Sequence, residues 1–445
     1  MRVLLSRACL ALCLLVPLLI LALHLALLPA AQWQSDDFIT AAYARDFGLR
    51  YLWQARLDGW SPRPLSETLL FVYERLAAGL LRPLATPFLL LLWTGFVAAP
   101  LAGVRRHRER GLRLLLGLAT ACMMLLGHPV ADMYYWPASA AAYMPTLAAS
   151  SLVLFLLLDG GAAARPGLLS LALVAGAASS EAGAMAGLLL APALAAGERD
   201  RARMALLSLP TLAVCAFVFW VLLHHRAAAH VETMQPGHAA LWRQALATLT
   251  GDLGQAGLAR LLFLAGFAWG WGKLDPAPPA LRARLRLIAF AGCLAIAAGL
   301  TAYASLLQFG TSCCERHDSL RQGWLVLALA ALAGAWRPAR PILLRRLAPA
   351  ALALACLLGA APRLLPLRHD LRVLPAILRA ESRNWRSGRG AGPAMTYRLP
   401  PPALVAGRVN LQPGTYGQDA RPPWQAHGIM LFFGKRSLTV LPARR

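Results

Sequence analysis

Runs of about twenty apolar residues recur along this chain, and they limit what it can fold into more than any other feature. The first occupies about 8–30. Others follow at roughly 84–104, 112–127, 143–158, 167–179, 182–196, 204–224, 258–272, 286–307, 319–336 and 347–365. A helix needs about 20 apolar residues to cross the hydrocarbon core of a bilayer. Of the 445 residues, 58% are hydrophobic and 14% charged, whereas a soluble domain carries roughly a quarter charged. The expected fold is therefore all-α, a polytopic membrane protein of about eleven transmembrane helices. These fill residues 1–365, and a small C-terminal tail follows over 366–445.

Basic residues outnumber acidic ones, 44 against 20, for a formal charge of +24. Such a balance can mark a nucleic-acid binder. No soluble basic domain with interleaved aromatics stands out, so no nucleic-acid partner is expected. Nearly all the basic residues are arginine; only Lys273 and Lys435 are lysine. Many sit in the short loops 105-RRHRER-110, 197-GERDRAR-203, 273-KLDPAPPALRARLR-286 and 337-RPARPILLRR-346, with Arg165 in another. The positive-inside rule assigns these loops to the cytoplasm. The opening 1-MRVLLSR-7 resembles that of a secretory signal. Its apolar run is longer than a signal's ~7–15 residues and ends in 28-LPAAQW-33, a poor cleavage site. It reads as an uncleaved first span with a cytoplasmic N-terminus. The segments 31–83, 128–142, 225–257, 308–318 and the tail then face outward, into the periplasm if the membrane is a Gram-negative inner membrane. The lipid bilayer is itself an expected partner.

Six of the eight cysteines, Cys9, Cys13, Cys122, Cys215, Cys293 and Cys356, lie in apolar runs and read as small hydrophobes. Cys313 and Cys314 are adjacent in a polar loop, where a disulfide between neighbours would be strained, and they read as incidental. In the first outer segment, 64-PLSETLLFVYERLAAGLLRP-83 gathers Leu65, Leu69, Val72, Tyr73, Leu76 and Leu80 on one helical face, with Glu67, Glu74 and Arg75 off it. Such a helix can lie in the membrane interface. Strand-like runs at 403-ALVAGRVNL-411, 428-GIMLFF-433 and 437-SLTVL-441 give the tail β character. No internal repeat is visible.

Residues able to do chemistry concentrate on the expected outer face. Asp36 and Asp37 follow the first apolar run; Asp132, Tyr134, Tyr135, Trp136 and Tyr143 lie in or beside the second outer loop, with His128. Glu181 stands between two short spans, and Glu315, Arg316, His317, Asp318 and Arg321 cluster further on. A carboxylate partly shielded from water has a raised pKa and can act as a general base near neutrality. Two adjacent carboxylates can share a proton or help hold a divalent cation. Arginines beside an apolar zone can grip a lipid phosphate, and flat aromatic rings suit sugars. Each group also has a plainer reading. The aspartates can simply mark where a span meets water, the Tyr-Tyr-Trp cluster can belong to an interfacial aromatic belt, Glu181 can cap a helix, and the arginines can be flanking charges.

In order along the chain, 35-SDDF-38, 59-GWSPRPLSE-67, 134-YYWPASAAAY-143, 179-SSEAG-183 and 315-ER-316 give a pattern that resembles the GT-C class of membrane glycosyltransferases. It is most similar to uncharacterised bacterial membrane proteins related to that class, including the DUF6056 family. The resemblance covers topology over about 1–365 through short, degenerate motifs. It implies a GT-C-like arrangement and transfer of a sugar from a polyprenyl-phosphate donor to a cell-envelope glycan or lipid at the outer face of the bacterial inner membrane. It further implies that Asp37 or Asp36 is the catalytic base or positions the acceptor, with Asp37 preferred. Asp132 is then the second acidic group, joined by Glu181, while Arg316 and Arg321 hold the donor phosphate. The aromatic residues Tyr134, Tyr135, Trp136 and Tyr143 would contact the sugar or acceptor. Some members of the class require a divalent cation (Mg or Mn) and others do not, so the metal stays open. The tail is smaller than the periplasmic domains of many such enzymes. Two other readings remain, a transporter or flippase and a non-catalytic envelope-assembly protein; a glycan ligase or polymerase of another fold would use similar outer-loop arginines.

Overall fold

A backbone in lipid must satisfy its own hydrogen bonds, and helices do so within one segment; the apolar runs accordingly all fall on helices. The computed structural model describes residues 2–102, 110–125, 130–160, 165–196, 198–226, 238–275, 279–310, 314–336, 342–407 and 409–443. His128, Cys313 and the loop residues 105–109 and 337–341 lie outside the described residues. The helices are α1 (Arg2–Ala26), α2 (Ser35–Phe47), α3 (Pro64–Leu80), α4 (Ala85–Ala98), α5 (Arg110–Met124), α6 (Ala131–Tyr134), α7 (Pro137–Leu158) and α8 (Pro166–Ser179). They continue with α9 (Glu181–Ala195), α10 (Arg201–Val221), α11 (His238–Gly254), α12 (Gly257–Leu274), α13 (Leu281–Phe309), α14 (Glu315–Ala335) and α15 (Ile342–Arg389). The chain closes with β1 (Ala394–Arg398), β2 (Gly414–Gly417), α16 (Trp424–Phe433) and β3 (Ser437–Leu441).

Among the described residues, five helical stretches are long and apolar enough to cross a membrane: Ala8–Ala30, Pro137–Leu158, Arg201–His224, Leu281–Gln308 and Arg346–Arg389. The stretch Ala85–Leu101 and helices α8 and α9 are apolar but shorter. Helix α15 does not stop at the end of its apolar run. Its 48 residues make it about 72 Å long at 1.5 Å per residue, more than twice the ~30 Å hydrocarbon core. What reads as the start of a tail at residue 366 is the continuation of this helix to Arg389.

The chain divides into two units that interleave in sequence. The first contains Met1–Ala22, Thr94–Pro129 and Tyr143–Pro362; the second contains Leu23–Trp93, Val130–Ala142 and Arg363–Arg445. In the first unit α13 packs on α14, α9 on α8, α10 and α13, and α5 on α12 and α14. Glycine lets α8 and α9 approach closely: a Cβ on Gly183 would stand 2.1 Å from the Gly176 carbonyl oxygen. Buried charges gather near helix ends and are paired. Arg113 donates to the Pro100 and Ala102 carbonyls and meets Asp159 at 3.3 Å. Near the other end of α7, Arg321 bridges Asp252 (2.9 Å) and Asp318 (2.6 Å), and Gln322 donates to Asp252 at 3.0 Å.

The second unit is built on α2, which packs against α3 and α16. A mixed sheet of order β1-β3-β2 runs β1 parallel and β2 antiparallel to the central β3. Met395 and Tyr397 of β1 and Leu438 and Val440 of β3 turn inward together, as the two-residue period of a strand requires. Strand β3 lies where its sequence alternation predicts, whereas the other two strand-like runs take different structures. The apolar stretch 428–433 lies in α16, which starts after Pro422-Pro423 and ends at Gly434 with φ 64°, the proline-first and glycine-last pattern of a helix. Residues 404–406 give their backbone N–H groups to the Asp370 carboxylate at 2.7, 2.8 and 3.0 Å. With those donors occupied, the run has no ladder to join. Asp370→Ala strands three amides, and a buried unmade hydrogen bond costs about 1–3 kcal/mol. The amides of 404–406 should then exchange hydrogen at least tenfold faster than in wild type by mass spectrometry.

Helix α3 turns most of its apolar stripe outward, as a helix lying in the interface would, and only Tyr73 of that stripe is buried. Ser66, Glu67, Leu70, Tyr73, Glu74 and Ala77 face the protein, while Val72, Leu76 and Leu80 face outward and are more than half exposed. The carboxylates find partners inside: Glu67 accepts two hydrogen bonds from Arg56, at 2.7 and 3.0 Å, and Glu74 accepts from the Thr40 hydroxyl. A helix in water does the reverse. An apolar face turned outward is what a lipid-bathed surface calls for.

Candidate functional site

The first turn of α2 carries the acidic pair, and its two members have different surroundings. Asp37 is completely buried. Its Oδ2 accepts from the Gln34 backbone N–H at 2.8 Å and from the Trp136 indole N–H at 2.9 Å. Its Oδ1 has no hydrogen-bond partner among the described residues. Burial pushes the carboxyl up to about 8; the charge on Asp36 adds to the rise, and the Gln34, Trp136 and nearby Ala138 N–H groups oppose it. Behind α2, burial also holds Glu74 well above the usual carboxylate range; the Thr40 hydroxyl and Arg56 pull it down, and the Asp37 charge pushes it up.

Asp36 instead lines a cleft of about 140 Å³. With it are Trp33, Gln34, Phe38 and Trp136, and from the C-terminal segment Asn410, Leu411, Trp424, Gln425 and Ile429. Trp33 is fixed from several sides. Its indole donates to the Tyr73 hydroxyl, and its ring meets Phe38, Trp385 and Phe432 edge-on at centroid distances of 5.1–5.2 Å. Trp424, at the start of α16, is half exposed.

The other residues singled out by sequence are dispersed. Tyr134 and Tyr135 are fully buried; Tyr135 pairs with His24 at 2.7 Å, and Tyr134 packs on Trp93. Their rings are therefore core surface, and Trp136 alone of the three lines the cleft. Asp132 is half-buried in the first turn of the short α6. The remaining four lie in the first unit. Tyr143 is buried and meets His317 at 2.9 Å. Glu181 is the first residue of α9, directly after Ser180, whose hydroxyl caps that helix by accepting from Gly183 N–H. Arg316 sits in the first turn of α14. Arg321 is buried, with its guanidinium turned to Asp252 and Asp318. Cys314 is disulfide-bonded, with a partner outside the described residues, which corrects its reading as an incidental thiol. Among the described residues, no group of three or more His, Cys, Asp or Glu is placed to hold a metal ion.

Trp33, Asn410, Trp424 and Gln425 were not foreseen as site residues. Trp33 lies three residues before Asp36, whereas the other three come from the distant C-terminal segment, where only the half-exposed Trp424 after Pro-Pro carries a local signal. Compared with known protein families, curated proteins and solved structures, the chain matches none.

Proposed function

We propose that this chain is a GT-C-type membrane glycosyltransferase that takes a sugar from a polyprenyl-phosphate donor and passes it to a cell-envelope glycan or lipid. In this reading about eleven helices span the bacterial inner membrane, with the N-terminus cytoplasmic and the C-terminal segment periplasmic. The observation that carries it is Asp36, a carboxylate on the first turn after the first apolar helix, facing a cleft shared with aromatic and amide side chains. Asp36 acts as the base. It takes the proton of the acceptor hydroxyl as that oxygen bonds to the anomeric carbon. The bond from that carbon to the phosphate oxygen breaks, and the polyprenyl phosphate leaves with the electron pair. Asp37, which is walled off, is a positioning residue that holds the Trp136 indole. No step runs through a metal.

The outward face of α3 supports the lipid part of the reading. A groove of about 420 Å³ runs along it, lined by Phe71, Val72, Arg75, Leu76, Gly79 and Leu80. An apolar groove with one arginine suits an isoprenyl chain that carries a phosphate.

The test is Asp36→Asn expressed in a deletion strain. Removing a general base lowers turnover by about 10²–10⁴-fold, so the product glycan should vanish from the envelope profile. A variant that restores the full profile in a strain whose deletion abolishes it would sink the reading. A transporter is the second reading. It is favoured by the buried Arg321, Asp252 and Arg260 of the first unit, and substrate uptake by proteoliposomes lacking any acceptor would support it.

A further inference from the structure

We infer that the cleft of the second unit seats one neutral sugar ring, and that the C-terminal segment supplies the wall that recognises it. The identification of that ring as the acceptor rests on the transferase reading; the binding does not. Three observations converge on it.

The first is size. At about 140 Å³ the cleft falls below the ~300–1,000 Å³ of sites for drug-sized ligands, which leaves room for one ring and not for a chain. The second is the character of the walls. Trp33 and Trp136 have committed their indole N–H groups to Tyr73 and Asp37. Trp136 turns carbon surface to the cleft in a fixed orientation, Trp424 adds a second indole, and the almost fully buried Trp33 backs the wall. Flat carbon faces match the C–H face of a pyranose. Asp36, Gln34, Asn410 and Gln425 stand among them with the carboxylate and amide groups that hydroxyls need. The third is charge. Among the described residues, no lysine, arginine or histidine lines the cleft. A phosphate or uronate there would meet Asp36 with no cation among the described lining residues to balance it, so the preferred ligand is uncharged.

The C-terminal half of this site is well anchored. Asp370 clips residues 404–406, a few positions before Asn410. Lys435, which is buried, donates to the Gly390 and Gly392 carbonyls and holds the end of α16 to the turn that precedes β1. The wall is thus preformed, which lowers the ordering cost of binding a small ligand.

The experiment is saturation-transfer NMR on the full chain in detergent micelles. The probes are the methyl glycosides of glucose, galactose and mannose, with glucuronate and glucose 1-phosphate as anionic comparisons. At least one neutral glycoside should receive saturation, and both anions should receive much less. Trp424→Ala and Asn410→Ala should each weaken the bound glycoside about tenfold or more, which is about 1.4 kcal/mol. Trp424→Phe should keep most of the binding, because a ring remains. Trp424 is half exposed, so its truncation does not empty the core. No transfer to any neutral glycoside, equal transfer to the anions, or unchanged binding in both alanine variants would overturn the inference. The transferase reading fails separately: binding lost in Trp424→Ala, together with a full glycan profile in Asp36→Asn, would leave the cleft standing without the enzyme.

Discussion

Asp37→Asn protein should lose part of the decline in stability that the wild type undergoes between about pH 4 and about pH 8. The Asp37 carboxyl is pushed up to about 8 from its ordinary value of 3.8, chiefly by burial. A folded-state pKa above the unfolded one means that the folded state holds the proton more tightly. Below about pH 4 both states are protonated and the group contributes nothing to pH dependence. Between 4 and 8 the unfolded chain ionises while the folded one does not, so stability falls by up to roughly 1.4 kcal/mol per unit. Above about 8 the loss is complete and the curve flattens. Asparagine accepts from the Gln34 and Trp136 N–H groups as the protonated acid does, but it does not titrate. Thermal unfolding in detergent at half-unit steps of pH reads the slope. Glu74 shares the sign, since burial raises it too, so the single variant flattens the curve in part and Asp37→Asn with Glu74→Gln flattens it further. Asp36→Asn should leave the slope in place. An Asp37→Asn profile that parallels wild type would mean that the carboxyl is ionised and hydrated in the folded protein.

The second large effect belongs to Trp33. Truncation to alanine removes the ring that Phe38, Tyr73, Trp385 and Phe432 surround and leaves the Tyr73 hydroxyl without its donor. A buried Trp→Ala change costs about 3–5 kcal/mol. Because the partners come from α2, α3, α15 and α16, the cost should fall on the whole second unit. Pulse proteolysis with trypsin provides the readout, with Arg372, Arg379 and Arg383 of α15 as cleavage sites. The midpoint in urea should drop sharply in Trp33→Ala and much less in Trp33→Phe. Equal protection in wild type and Trp33→Ala would show that the aromatic cluster does not hold this unit together.

Much of the helical framework was legible because apolar run length is a one-dimensional property. Among the described residues, every run from 8–30 to 347–365 lies on a helix, including the short pair around Ser179 and Glu181. The end of α15 was not legible, because a helix that leaves lipid loses its hydrophobic signature without losing its hydrogen bonds. The apolar stripe of α3 was legible, but the burial of Glu67 and Glu74 opposite it was not, since periodicity does not show which carboxylates find partners. The run 428–433 is apolar at every position, so neither a two-residue nor a 3.6-residue period could be told apart. At the site, the acidic pair was visible, but its division of labour was not. Asp36 and Asp37 are neighbours on a helix and therefore point about 100° apart, which sends one to the cleft and the other into the core. The amides at Asn410 and Gln425 gave no warning, since nothing local distinguishes them from ordinary loop residues.

The aromatic cluster also sets a timetable for biogenesis. Trp33 and Phe38 emerge early, whereas Phe432 and Phe433 are about 400 residues further on. At about 5–20 residues per second, translation separates them by roughly 20–80 s. Throughout that interval Trp33 and Phe38 lack their C-terminal partners, while most of the chain is still being made. A membrane chaperone or quality-control protease therefore meets an incomplete second unit in every molecule made. A chain truncated before α16 would never leave that state.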